Sequence, residues 1–119
     1  MKSGSLWCGE WLVVPEAACT QWLGERLIGL LGQRALAAGR GLLIAPCAAV
    51  HTVAMRFALD LVFIDRDWRV VRTAAAVRPG RLAVWGGPGA YRTLEVQAGW
   101  LELTALDGRT LRWAPRGNT

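Results

Sequence analysis

The chain's single histidine, His51, lies in the stretch AVHTVAMRFALDLVFID, together with Arg56, Asp60 and Asp65 among apolar residues. An imidazole paired with a carboxylate can move protons, and Cys47, four residues before His51, adds a candidate nucleophile. Extended chain would hold Cys47 and His51 about 13 Å apart, so a dyad needs a turn through PCAA. So short a spacing is not a signature of cysteine nucleophiles, and Cys47 reads as a small buried hydrophobe. Asp60 is the sharper feature, a carboxylate at the mouth of an apolar strand. Burying it unpaired would cost several kcal/mol, so it needs backbone N–H groups or an arginine. Arg26, Arg34 and Arg56 are the candidate partners. Alternatively, Asp60 acts as a base or orients a ligand.

Alternation along a strand would point His51, Val53, Met55 and Phe57 one way and Thr52, Ala54 and Arg56 the other. Fifteen residues is long for one strand, so a corner is expected near Ala58. Glu95, between Leu94 and Val96, should face away from both, with an arginine as its default partner. Arg78, Arg81 and Arg92 fall on or near strand ends, where several guanidinium groups could grip a carboxylate or phosphate. WGGPGA (Trp85–Ala90) lacks the lysine and the GxGxxG spacing of a phosphate loop and reads as a mobile rim. Of seven tryptophans, Trp68 and Trp85 fall in turns, where an exposed indole favours recognition of a partner or ligand.

The elements that must position these groups are mostly short and extended. Leu6 to Val14 reads as a first strand interrupted at Gly9. Pro15 suits a helix's first turn, and Cys19, Leu23, Leu27, Leu30 and Leu31 recur at helical spacing. Gly41–Ile44 and the doubly apolar Leu59–Ile64 read as buried strands, and DRDW turns the second into RVVRTA as a hairpin. Arg81–Trp85, Arg92–Ala98, Trp100–Leu106 and Thr110–Ala114 complete the expected strands, separated by turn signals. The expectation is a mainly β chain, an antiparallel sandwich or partly open barrel with one packed N-terminal helix.

With 119 residues, 53% of them hydrophobic and 19% charged, the chain can build one domain around its own core, spanning residues 1–119. Three cysteines without CxxC spacing signal neither a disulfide framework nor zinc, and no cofactor motif is present. The net charge of +5 invites a nucleic-acid reading, yet the 13 arginines run from Arg26 to Arg116 without a run of three. Such a spread argues for a solvated surface rather than a phosphate-binding patch. No apolar run approaches a bilayer span, and the N-terminus breaks at Gly4, Cys8, Gly9 and Glu10, where an export signal needs unbroken apolar residues. A cytoplasmic location is the expectation.

The order ERLIGLLGQRAL, GRGLLI, HTVAMRFALDLVFIDRDWRVVR, VRPGR and GAYRTLEVQAG resembles the domain of unknown function 192 family, over about residues 22 to 99. The resemblance implies a mostly β fold with a single helix and implies no activity, the family being uncharacterised. Members tend to carry glycine in the hairpin turn where this chain has Trp68, and often proline where it has Ala58.

The function expected is non-catalytic binding of a small anionic or polar ligand, by His51, Thr52, Arg56, Asp60, Trp85 and Glu95. One alternative is an accessory protein that docks on a larger assembly through exposed tryptophan and arginine. Another is a hydrolase using Cys47 or His51 with Asp60.

Overall fold

The run LDLVFI, strand β5 (Leu59–Ile64), is buried at every position, as a strand with no polar face must be. The computed structural model describes residues 2–20, 39–52, 55 and 57–116. Among them the other strands are β1 (Lys2–Cys8), β2 (Trp11–Thr20), β3 (Arg40–Ile44), β4 (Ala49–Val50), β6 (Val70–Val77), β7 (Val84–Trp85), β8 (Arg92–Gln97) and β9 (Arg112–Pro115). One short helix, α1 (Leu103–Leu106), precedes β9.

Seven strands make one sheet in the order β6-β5-β8-β3-β2-β1-β9, and β4 and β7 pair separately. The ladders are antiparallel except for β2 with β3. The long sheet curls until a single bridge, Arg69 to Thr110, links its two edges. Val70 donates to the Arg109 carbonyl and Leu111 to that of Trp68, each at 2.8 Å. This is a curled sheet that stops short of a closed barrel.

Its middle strands are buried on both faces, and alternation assigns each residue to one of two cores. Leu43, Val62, Ile64, Leu94 and Val96 join Leu6, Val13, Leu106 and Leu111 on the inner face. Leu42, Ile44, Leu59, Leu61 and Phe63 point outward and meet Val50, Met55, Val77 and Val84. The outer core exists because the segments after β3 and β6 fold back over the sheet.

The β class follows the sequence expectation, but the expected helix start at Pro15 does not. Pro15 and Cys19 lie in β2, where Val14 opposes Leu6 and Ala17 opposes Gly4. Two residues, Pro15 and Glu16, therefore face one, Ser5, in a β-bulge, which tolerates a residue without an N–H. Leu23, Leu27, Leu30 and Leu31, with Arg26 and Arg34, fall outside the described residues. Gly9, with φ +59, turns β1 into β2, so the predicted interrupted strand is a two-residue hairpin. Arg81–Trp85 is strand only at Val84–Trp85. The predicted strand over Trp100–Leu106 ends instead in α1, a single turn that drives Leu106 into the inner core. Among the described residues, no helix is long and apolar enough to cross a membrane.

Candidate functional site

The outer face of β3, β5 and β8 carries Thr93 and Glu95 among Leu42, Ile44, Leu61 and Phe63. Leu94 and Val96 point into the inner core, so Glu95 takes the opposite side, as its sequence neighbours predict, and is fully buried. The cover above it is pinned by backbone and hydroxyl groups. Cys47 donates its amide to the Tyr91 carbonyl at 2.7 Å, and Thr93 Oγ1 donates to the Cys47 carbonyl at 3.0 Å. Gly86 donates to the Ala48 carbonyl at 2.8 Å, beside the β4–β7 pair.

Thr52 fastens this cover to the VRPGR turn. Its hydroxyl donates to the Arg78 carbonyl at 2.6 Å and accepts the Arg81 amide at 2.9 Å. Its own amide donates to the Arg81 carbonyl, and its carbonyl accepts the Gly80 amide, both at 2.8 Å. Every polar group of Thr52 is thus spent on the chain itself. Asp60 behaves likewise. Its Oδ1 accepts the Ala76 amide at 2.7 Å and its Oδ2 the Gly99 amide at 2.9 Å.

Opposite Asp60 stands Val96, and opposite Leu61 stands Glu95. Alternation therefore puts the Asp60 and Glu95 carboxylates on opposite faces of the sheet. His51 is half-buried beside β4, and Arg56 lies outside the described residues. The Cys47 thiol is half-buried and donates to the Ala49 carbonyl at 3.3 Å. Among the described residues expected to form one site, Thr52 and Asp60 bond to backbone groups of different segments, Thr52 to Arg78 and Arg81 and Asp60 to Ala76 and Gly99. An open groove of about 360 Å³, lined by Val71, Arg72, Thr73, Thr104 and Asp107, contains none of them. Among the described residues, no three histidine, cysteine or acidic side chains group as metal ligands.

What the surface does display is a ridge. Leu82 is 84% exposed and Trp85 57%, while Val84 between them is buried against the outer core and pairs with Val50. The β4–β7 ladder thus holds the ridge against the body of the protein. Arg78 and Arg81 are exposed on the same segment, and Arg72 donates from its guanidinium to the Trp85 carbonyl. Residues 68–94 contain Arg69, Arg72, Arg78, Arg81 and Arg92 and no aspartate or glutamate. This stretch alone carries a charge equal to the net +5 of the whole chain. Sequence reading singled out Trp85 but missed Leu82, which it assigned to a strand; the acid-free run around PGRLAVW is the signal that marks it.

Trp68 is not a second exposed indole. It is half-buried at φ +69, and the Arg92 guanidinium lies 4.0 Å from its ring centre. Arg92 also reaches the Asp65 carbonyl at 2.6 Å and lies 5.1 Å from the Tyr91 ring, over which Arg66 stands at 4.2 Å. Burial pulls Arg92 below the usual guanidinium value. It pushes the Cys19 thiol above 9.0, against the smaller opposing effects of Lys2 and Arg92.

Residues 12–113 match a family described as DUF192, an uncharacterised ACR. No curated protein matches the chain. Among solved structures, a protein of unknown function from Novosphingobium aromaticivorans DSM 12444 superposes with a TM-score of 0.70 at 19% identity, covering 83% of this chain and 78% of that one. A "putative transcription regulator" from Sinorhizobium meliloti 1021 gives a TM-score of 0.71 at 18% identity, covering 82% and 81%. At these identities the likeness is one of fold.

Proposed function

The chain belongs to the uncharacterised domain of unknown function 192 family, and we propose that it is a non-catalytic docking module whose contact surface is the Leu82–Trp85 ridge. The observation that carries this reading is the 84% exposure of Leu82, on a segment held by the β4–β7 ladder and rich in arginine. Exposed leucine and tryptophan rimmed by guanidinium groups is the composition of a recognition surface. Catalysis finds less support, because Asp60 and Thr52 spend their polar atoms on backbone partners and Asp60 faces away from Glu95.

A second reading, a small polar or anionic ligand held under the outer cover by His51 and Arg56, keeps one supporting feature. That feature is the Glu95 carboxylate, fully buried beneath the cover. A thermal-shift screen separates the two readings. A small molecule that raises the melting point of wild type and not of Glu95→Gln favours the ligand.

The docking reading is tested by placing a photo-reactive leucine analogue at position 82, and a control at exposed Glu102. A discrete adduct from 82 and none from 102 is the expected result. The same pattern from both positions would end the proposal.

A further inference from the structure

We infer that the partner of this ridge is a bilayer surface bearing anionic headgroups. The inference rests on the docking reading and names what the ridge docks on. Three observations lead there. Leu82 and Trp85 project outward from a fixed base, since Val84 between them is buried and paired. Indole favours the headgroup level of a bilayer, and an adjacent leucine reaches the acyl boundary. Arg78 and Arg81 are exposed on the same segment as these two side chains and Arg72 reaches the Trp85 carbonyl, within a stretch of 27 residues, 68–94, whose sequence holds no carboxylate and favours an anionic surface. Finally, Leu82 and Trp85 are both exposed, at 84% and 57%. A lipid surface yields around protruding groups, whereas a nucleic acid would meet the arginines but gain nothing from Leu82. An acidic protein would need a pocket matched to both apolar side chains. Arginine stems also extend along apolar surface while their heads contact phosphate, which suits a position at the interface.

The test is flotation of the full chain with phosphatidylcholine vesicles, with and without phosphatidylserine. Co-flotation with the phosphatidylserine vesicles alone, weakening as salt is raised, is expected. Leu82→Asp and the pair Arg78→Glu/Arg81→Glu should each reduce it about tenfold or more. Both changes fall on exposed side chains, and unchanged melting points would show that the fold is intact. Fluorescence of wild type, compared with Trp85→Phe, should be quenched by brominated lipid only where Trp85 is present. Free glycerophosphoserine should not compete, because a headgroup without its bilayer offers Leu82 nothing.

Absence of flotation at low salt overturns the lipid assignment, as does equal flotation of Leu82→Asp. Salt-dependent retention on DNA with no vesicle binding overturns it in favour of a nucleic acid. If vesicles fail but the adduct at position 82 is a protein, lost with Arg78→Glu/Arg81→Glu, docking stands and the lipid falls. If vesicles fail and no adduct is specific to position 82, both fall.

Discussion

Asp60, on β5, reaches the amide of Gly99, in the turn that follows β8, at 2.9 Å. Gly99 sits at φ +82, and the other carboxylate oxygen accepts from Ala76, itself at φ +50 in the bulge where Leu59 and Leu61 pair with Val77 and Ala74. One buried side chain therefore ties two irregular backbones to the central sheet. Asp60→Asn puts an NH₂ donor against a backbone donor and should lower stability by about 2–3 kcal/mol in chemical denaturation. A change within about 0.5 kcal/mol would show that the bonds are dispensable.

Thr52 plays the corresponding part in the cover. Thr52→Val keeps the shape but leaves the Arg78 carbonyl and the Arg81 amide without the hydroxyl, at an expected cost of about 1–3 kcal/mol. Amide exchange at Arg81 should accelerate in Thr52→Val and stay near wild type in Thr52→Ser. Equal protection in all three proteins would contradict the assignment.

Much of this architecture was legible in the sequence, and the failures are local. LDLVFI announced a doubly buried strand, and Leu94-Glu95-Val96 announced which way Glu95 faces. DRDW announced the β5–β6 hairpin, with Asp65 Oδ1 accepting the amides of Asp67 and Arg69. Pro15 misled because a bulge and a helix's first turn both tolerate its missing N–H. α1 went unseen because four residues are too few to show a period. The partners of Asp60 were hidden for another reason. They are backbone amides 16 and 39 residues away, which no side-chain pattern marks.

Trp68 carries two opposed effects. A positive φ costs a non-glycine residue about 1–2 kcal/mol. Against it stand packing on the inner core and the Arg92 stack, the latter contributing about 0.5–2 kcal/mol. Trp68→Gly relieves the first and loses the others, so a net loss of about 1–3 kcal/mol is expected. A gain in stability would mean that the stack is weaker than the strain.

Cys19 makes stability fall on the alkaline side. Burial raises its folded value above 9.0, so the native state holds the thiol proton more tightly than the unfolded chain does. The resulting stability is fully present below about pH 9 and is lost as the pH climbs through the folded value. Wild type should therefore lose more stability than Cys19→Ser between neutral pH and the alkaline limb. In a Cys8→Ser/Cys47→Ser background, the alkylation rate should reach half its maximum above pH 9.0. A midpoint below 9.0 would reverse the sign.

Gly86 sets how closely the segment bearing the ridge approaches the sheet. A Cβ there would stand 2.5 Å from Cγ and Cδ1 of Phe63 and 2.8 Å from the Ala90 Cβ, and Phe63 is fully buried. Gly86→Ala must push the loop off β5 or tilt the ring, and should lower stability by about 1–3 kcal/mol. Steric origin has a signature. Phe63→Leu frees space at the contact, so the double variant should be more stable than the sum of the two single losses allows. Strict additivity would instead place the cost in the backbone freedom of Gly86. Because Trp85 immediately precedes Gly86, the single variant should also weaken whatever binding Leu82→Asp weakens, while the double variant restores part of it. That recovery would tie the ridge to the core that positions it.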